Sequence, residues 1–237
     1  HIISSGTSLP VGLIDIDTVK CGDIMKQTQE LLNDGKKIIV FDAITDKDTL
    51  HIIASLAPVF TNVFWTGSLG IANGLAEYFY GPRSAVYHPS PRNIRSLCFC
   101  ASDYDIAHKQ IEYSRQYGLG VVAVDVDSYI NGDSCVLCDA VQKASDALKF
   151  CNVMIVPRID KYSHKQGASV KILECISETA YNLCNGSVYF DRLVVVGGET
   201  AQSIFRKLGV GALDLGLAIE PGVAEGVICD GVLSGTE

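Results

Sequence analysis

The sequence predicts an α/β protein of two domains, each with a mainly parallel sheet flanked by helices in three layers. Apolar runs of strand length alternate with longer stretches of helical periodicity. Those runs are apolar almost throughout, as strands covered on both faces are. Midway, the Pro-rich stretch "YGPRSAVYHPSPRN" breaks the rhythm and carries no periodicity of its own. It sets the expected boundary, with domains over residues 1–84 and 85–237.

In the first domain "VGLIDI" reads as a strand and "CGDIMKQTQELLNDG" as a helix closed by Gly35. "KKIIVFDAI" is the next strand. "DKDTLHIIASLA" follows as a helix with acids in its first turn, where the dipole favours them. "NVFWTGS" and "GIANGLAEYF" repeat the strand–helix unit. In the second domain "IRSLCFCAS", "LGVVAVDVD" and "NVMIVPR" read as strands. Between and after them come the helices "YDIAHKQIEYSRQYG", ending at Gly118, "CDAVQKASDALKFC" and "SVKILECISETAYNLCN". "LVVVGGETAQSIFRKLG" runs from strand through a tight turn into a helix, and "ALDLGLAIEPGVAEGVICDG" closes with short strands and turns.

Hydrophobic residues make up 48% of the 237 residues and charged residues 19%, a globular composition. The formal charge of −8 argues against a nucleic-acid partner, because phosphate neutralisation needs clustered Lys and Arg. No apolar run reaches the roughly 18 residues of a membrane span, so no membrane partner is expected. "HIISSGTSLPVG" lacks the charged-then-apolar order of a secretory signal. The nine cysteines are scattered. Cys98 and Cys100 alternate in an apolar run as buried thiols do. Cys135 and Cys138 form a CxxC, but no second pair accompanies them and His164 stands alone, so zinc is not expected. A reducing cytoplasm is the simplest compartment.

Three turns lie where strands end, which is where ligands collect in an open α/β sheet. "WTGSLGIANGLA" offers Gly67, Ser68, Gly70 and Gly74; it reads either as a ligand turn or as a helix lying close to a neighbour. Gly197–Gly198–Glu199–Thr200 delivers paired glycines to a helix start, whose free amides suit an anion. Thr200 can cap that helix or meet a phosphate oxygen, and Glu199 can hold a cation's water or favour the dipole. A tight βα turn without a ligand fits equally well. In "FDAITDKD", Asp42 ends a strand and is a substrate candidate, while Asp46 and Asp48 read as cap and first-turn charges. No Walker loop, kinase-style Gly-rich loop or nucleophile elbow occurs.

Together, and in this order, "FDAITDKDTL", "TGSLGIANGLA", "HKQIEYSRQYG", "VVVGGETAQSIFRKLG" and "IEPGV" resemble the four-carbon acid sugar kinase family. The resemblance implies ATP-dependent transfer of a phosphoryl group to the terminal hydroxyl of threonate, erythronate or 3-oxotetronate, with Mg²⁺. Ser68 and Gly197, Gly198, Glu199 and Thr200 would touch the nucleotide, the Gly-Ser and Gly-Gly-Glu-Thr turns facing each other. Gly67, Gly70, Ser102 and Gly222 would border the same pocket, with Glu220 beside Gly222, and Asp42 would meet the sugar acid. No residue of the chain is assigned to the metal. A homodimer is the assembly kept in view. The family's Ala-Asp-Asp-x-Thr-Gly stretch, which carries the catalytic acid, and its Lys-Ser-Gly-x-Phe-Gly motif have no counterpart here. Catalytic residues are therefore not assigned, and turnover by this chain alone is not expected. Ala101 and Ser102 stand where the family has Gly-Ser, and His108 where Thr is common. The alternative is a non-catalytic ligand-binding or regulatory relative. A dinucleotide oxidoreductase is disfavoured, since no GxGxxG opens a helix.

Overall fold

The computed structural model describes residues 2–82, 94–102, 104–158, 167–186, 188–220 and 222–236. The chain divides into two compact units, His1–Val86 and Tyr87–Glu237. The boundary expected after residue 84, and His164, lie outside the described residues.

The first unit opens with α1 (Ile2–Ser5) and β1 (Val11–Ile14), followed by α2 (Ile16–Cys21), α3 (Ile24–Asn33) and β2 (Ile38–Phe41). It ends with α4 (Asp46–Leu56) and α5 (Leu69–Tyr80). β1 and β2 pair in parallel, Ile14 opposite Phe41. Ile14, Val19, Ile24, Ile52 and Leu56 form the core with Ile39, Phe41 and Trp65, whereas Leu13, of opposite parity on β1, is 60% exposed. Two expectations change here. The helix expected over residues 21–35 is α3, starting at Ile24, and an unexpected short helix, α2, precedes it, ended by Gly22 at φ 86° in the left-handed conformation. "NVFWTGS" forms no strand: residues 63–67 are irregular and Phe64 is 91% exposed. β propensity needs a ladder to satisfy it, and only Trp65 of this run reaches the core.

The second unit contains β3 (Ser96–Cys100), α6 (Asp105–Arg115), β4 (Gly120–Asp125), α7 (Val126–Ile130) and α8 (Cys135–Leu148). β5 (Val153–Arg158), α9 (Ala168–Cys184), β6 (Arg192–Val196) and α10 (Gly198–Leu208) follow, then β7 (Leu213–Glu220) and β8 (Val223–Ile228). Four strands form a fully parallel sheet in the order β4-β5-β3-β6. Alternation along each strand sorts its side chains to two faces. Leu97, Phe99, Val122, Val124, Val153 and Ile155 face a core shared with α8, α9 and α10. Cys98, Cys100, Val121, Met154, Val194 and Val196 face α6 instead. Helix, sheet and helix make three layers, which explains the unbroken apolar runs. The helix expected to begin at Cys138 starts at Cys135, after the short extra helix α7. β7 and β8 form an antiparallel hairpin.

Candidate functional site

β3 and β6 are neighbours, and their last paired residues are Cys100 and Val196. The next residues, Ala101–Ser102 and Gly197–Gly198, therefore leave the sheet side by side at its carboxyl edge. From there the chain diverges: β3 feeds α6 on one face and β6 feeds α10 on the other. Such a divergence opens a crevice between adjacent strand ends, the place where α/β sheets take their ligands.

The crevice is built around α10. Gly197 is its N-cap, with φ 102° and ψ 134°, a backbone that side-chain-bearing residues avoid. No side chain caps this helix, and the Gly197 carbonyl accepts from the Ala201 amide at 2.9 Å. The amides of Gly198, Glu199 and Thr200 precede the first intrahelical donor and remain for an outside acceptor. A Cβ placed on Gly198 would meet nothing within 4 Å. Gly198 and Glu199 are exposed, while Thr200 is 4% exposed. The Thr200 Oγ1 lies 3.3 Å from where a Cβ on Gly197 would stand. Thr200 is thus not the cap that the sequence allowed; it sits in the first turn, packed beneath Gly197. Across the crevice the Ser102 hydroxyl accepts from the Tyr104 amide at 3.4 Å, at the entrance to α6.

The same edge carries a charge pair that sequence reasoning missed. Asp125 and Arg158 end β4 and β5 directly opposite each other and form an ion pair. Asp125 also accepts from the Ser128 amide at 3.0 Å. That bond, then Arg158, hold its carboxyl below the usual aspartate range. Continuing the register places Arg158 level with Ser102, with β5 next to β3. Only the charged ends of "VVAVD" and "MIVPR" hinted at this.

The other predicted residues lie on other elements. Gly222 turns the β7–β8 hairpin with φ 87°, and the Arg192–Glu225 ion pair ties this hairpin to the first residue of β6. In the first unit Asp42 follows β2, is exposed, and donates its amide to the Ile14 carbonyl at 3.0 Å. Asp15 follows the adjacent β1 and caps α2 through the Thr18 amide. Ser68 is the exposed N-cap of α5 and its side chain makes no capping bond. Gly67 and Gly70 flank it. Gly74 does serve packing: its Cβ would stand 2.7 Å from Ile53 Cδ1 on α4. Thr45, not an aspartate, caps α4 and closes a capping box with Asp48, while Asp46 and Asp48 are the first-turn charges expected. Cys135 and Cys138 are exposed free thiols in the first turn of α8, whereas burial pushes the Cys98 thiol up to about 12. No group of three or more metal-ligating side chains occurs among the described residues, and no described helix is long and apolar enough to cross a membrane.

Two family patterns match the chain: a nucleotide-binding C-terminal domain over residues 97–234 and a sugar-binding N-terminal domain over residues 1–75. The chain is 28% identical to a D-threonate kinase of Cupriavidus necator over 220 residues, 89% of this chain and 51% of the kinase. It is 27% identical to a 3-oxo-tetronate kinase of Pseudomonas fluorescens over 245 residues, covering 94% and 53%. The chain thus spans about half the length of the curated relatives it matches. A solved Haemophilus influenzae protein carrying domain of unknown function 1537 has the same fold. The TM-score is 0.59 at 19% identity, covering 95% of this chain and 56% of that one. The two patterns and the shared order of turns lead to one assignment: the chain belongs to the four-carbon acid sugar kinase family.

Proposed function

We propose that this chain carries the ATP site of a kinase that phosphorylates the terminal hydroxyl of a four-carbon sugar acid, namely threonate, erythronate or 3-oxo-tetronate. The observation that supports it best is the Gly197–Gly198 turn, which opens α10 beside Ser102 where β3 and β6 diverge. Free amides at a helix start bind anions through hydrogen bonds and the helix dipole together. Gly198 leaves room above them for phosphate oxygens to approach. In this reading the amides of residues 198–200 hold the phosphates, the Ser102 hydroxyl adds a donor, and Arg158 contributes positive charge along the same edge. Phosphoryl transfer is achieved mainly by positioning and charge neutralisation, so such a cradle provides much of what the chemistry requires. Mg²⁺ usually reaches such sites on the phosphates with one or two carboxylates; the Glu199 carboxylate, exposed in the first turn of α10, would accept a hydrogen bond from one of its waters. Ser68 and Asp42 complete the proposal in the first unit, Ser68 toward the nucleotide and Asp42 toward the sugar acid.

The test is ADP release with each of the three acids, followed by phosphorus NMR of the product. A phosphomonoester on the terminal carbon of one acid is expected from the protein carrying this chain. ATP-dependent turnover with none of them, in a protein that binds ATP, would refute the sugar-acid part and leave the nucleotide site standing.

A further inference from the structure

α6 sits on its face of the sheet differently from the other helices. α8, α9 and α10 each pack closely on a strand, whereas α6 makes no comparably close approach among the described residues. Its sequence accounts for this. α6 buries only Ala107 and Ile111, while α9 buries seven residues, from Ala168 to Leu183. Short Ala107 and Ser114 side chains one turn either side of Ile111 leave the helix without the bulk to fill the space beneath it. The result is a groove of about 190 Å³ between α6 and the sheet, walled by Ile111, Leu119, Met154, Cys100 and Val196.

This groove is continuous with the crevice. Cys100 and Val196 are the last residues of β3 and β6, two positions before Ser102 and Gly198. Ala107 and Gln110 line both the groove and the broad surface depression that begins at Ser102. A ligand whose phosphates rest on α10 would therefore have its other end at the mouth of the groove. The walls are apolar, the volume is below the roughly 300 Å³ of a drug-sized site, and one neutral carboxamide stands at the rim.

We infer that the groove under α6 receives the purine base of the nucleotide, with the Gln110 carboxamide reading its hydrogen-bonding edge. This rests on the nucleotide reading above and extends it to a part of the molecule that no phosphate would need. A carboxamide offers one acceptor and two donors, which suits the amino group and ring nitrogen of adenine together. A carboxylate only accepts, which suits guanine's adjacent ring N–H and amino group better.

The experiment compares ATP, GTP and inorganic tripolyphosphate binding by calorimetry in the native chain and two variants. Native protein should bind ATP at least tenfold more tightly than tripolyphosphate. Ala107→Leu, which fills the groove mouth, should remove that advantage while leaving tripolyphosphate affinity within twofold. Gln110→Glu, at an exposed position, should move the ATP-to-GTP preference at least tenfold toward GTP. Native affinities equal for ATP and tripolyphosphate would overturn the groove assignment and leave the phosphate crevice intact. So would native-like ATP-to-GTP ratios in a Gln110→Glu protein whose melting is unchanged, and this arm decides if Ala107→Leu fails to fold. Native protein that binds neither compound would refute the nucleotide reading, and the groove assignment with it.

Discussion

The two glycines of the α10 turn make opposite predictions, and together they separate folding from binding. Gly197 holds φ 102°. Forcing a Cβ onto such a backbone costs about 1–3 kcal/mol. At about 2–4 °C per kcal/mol for a unit of this size, Gly197→Ala should lower the melting temperature by several degrees. Gly198 is the first residue of α10 and a Cβ there meets nothing within 4 Å. Gly198→Val should therefore change stability by no more than about 1 kcal/mol, β-branching in the helix offsetting reduced freedom in the unfolded chain. Its side chain would nonetheless occupy the volume through which phosphate oxygens reach the amides. Losing one hydrogen bond to a charged group costs about 1.5–3 kcal/mol, roughly ten- to a hundredfold in ATP affinity. Thermal melting and calorimetric titration on the same samples read both effects. A folded Gly198→Val protein with native ATP affinity would refute the reasoning, and a Gly198→Val melting loss equal to that of Gly197→Ala would refute the open space assigned above Gly198.

Three further outcomes are expected. Thr45→Ala removes half of the α4 capping box and should destabilise the first unit by about 1 kcal/mol, read by chemical denaturation; no change would contradict the cap geometry. The depressed Asp125 carboxyl contributes stability that is fully present above the ordinary aspartate value of about 3.9 and lost as pH falls through its lower folded value. Asp125→Asn should thus flatten the acid limb of the stability curve, and an unaltered limb would show that the pairing contributes nothing. Among the nine cysteines, Cys21, Cys135, Cys138 and Cys229 are exposed, so a thiol reagent should label these four rapidly and Cys98 and Cys175 only on denaturation. Rapid labelling of Cys98, whose buried thiol is held protonated to about pH 12, would contradict its place under α6.

The architecture was readable because parallel strands covered on both faces must be apolar along their length, as "LVVV" and "NVMIV" are. The missing strand at "NVFWTGS" shows where that logic stops: apolar character marks a segment able to pair, and pairing depends on a partner that local sequence does not name. The short helix α2 has no such signal: it spans six residues, between the Asp15 cap and Gly22, too few to show a period in sequence. At the site, Gly197–Gly198 stood out because a strand broken by two glycines demands an unusual backbone. The adjacency of Ser102 to Gly198 comes from sheet order, 96 positions apart in sequence, and no local pattern encodes it. The Asp125–Arg158 pair is of the same kind, a product of β4–β5 register. Thr200 looked like a cap from its position, and only its burial shows that it supports the turn from below.

The central claim is that the carboxyl edge of the β4-β5-β3-β6 sheet binds a nucleotide through the start of α10. Calorimetric titration of this chain with ATP, with and without Mg²⁺, tests it most directly. Saturable binding of one ATP per chain, strengthened by Mg²⁺, is the predicted result. Absence of saturable heat at millimolar ATP in the folded protein would contradict it.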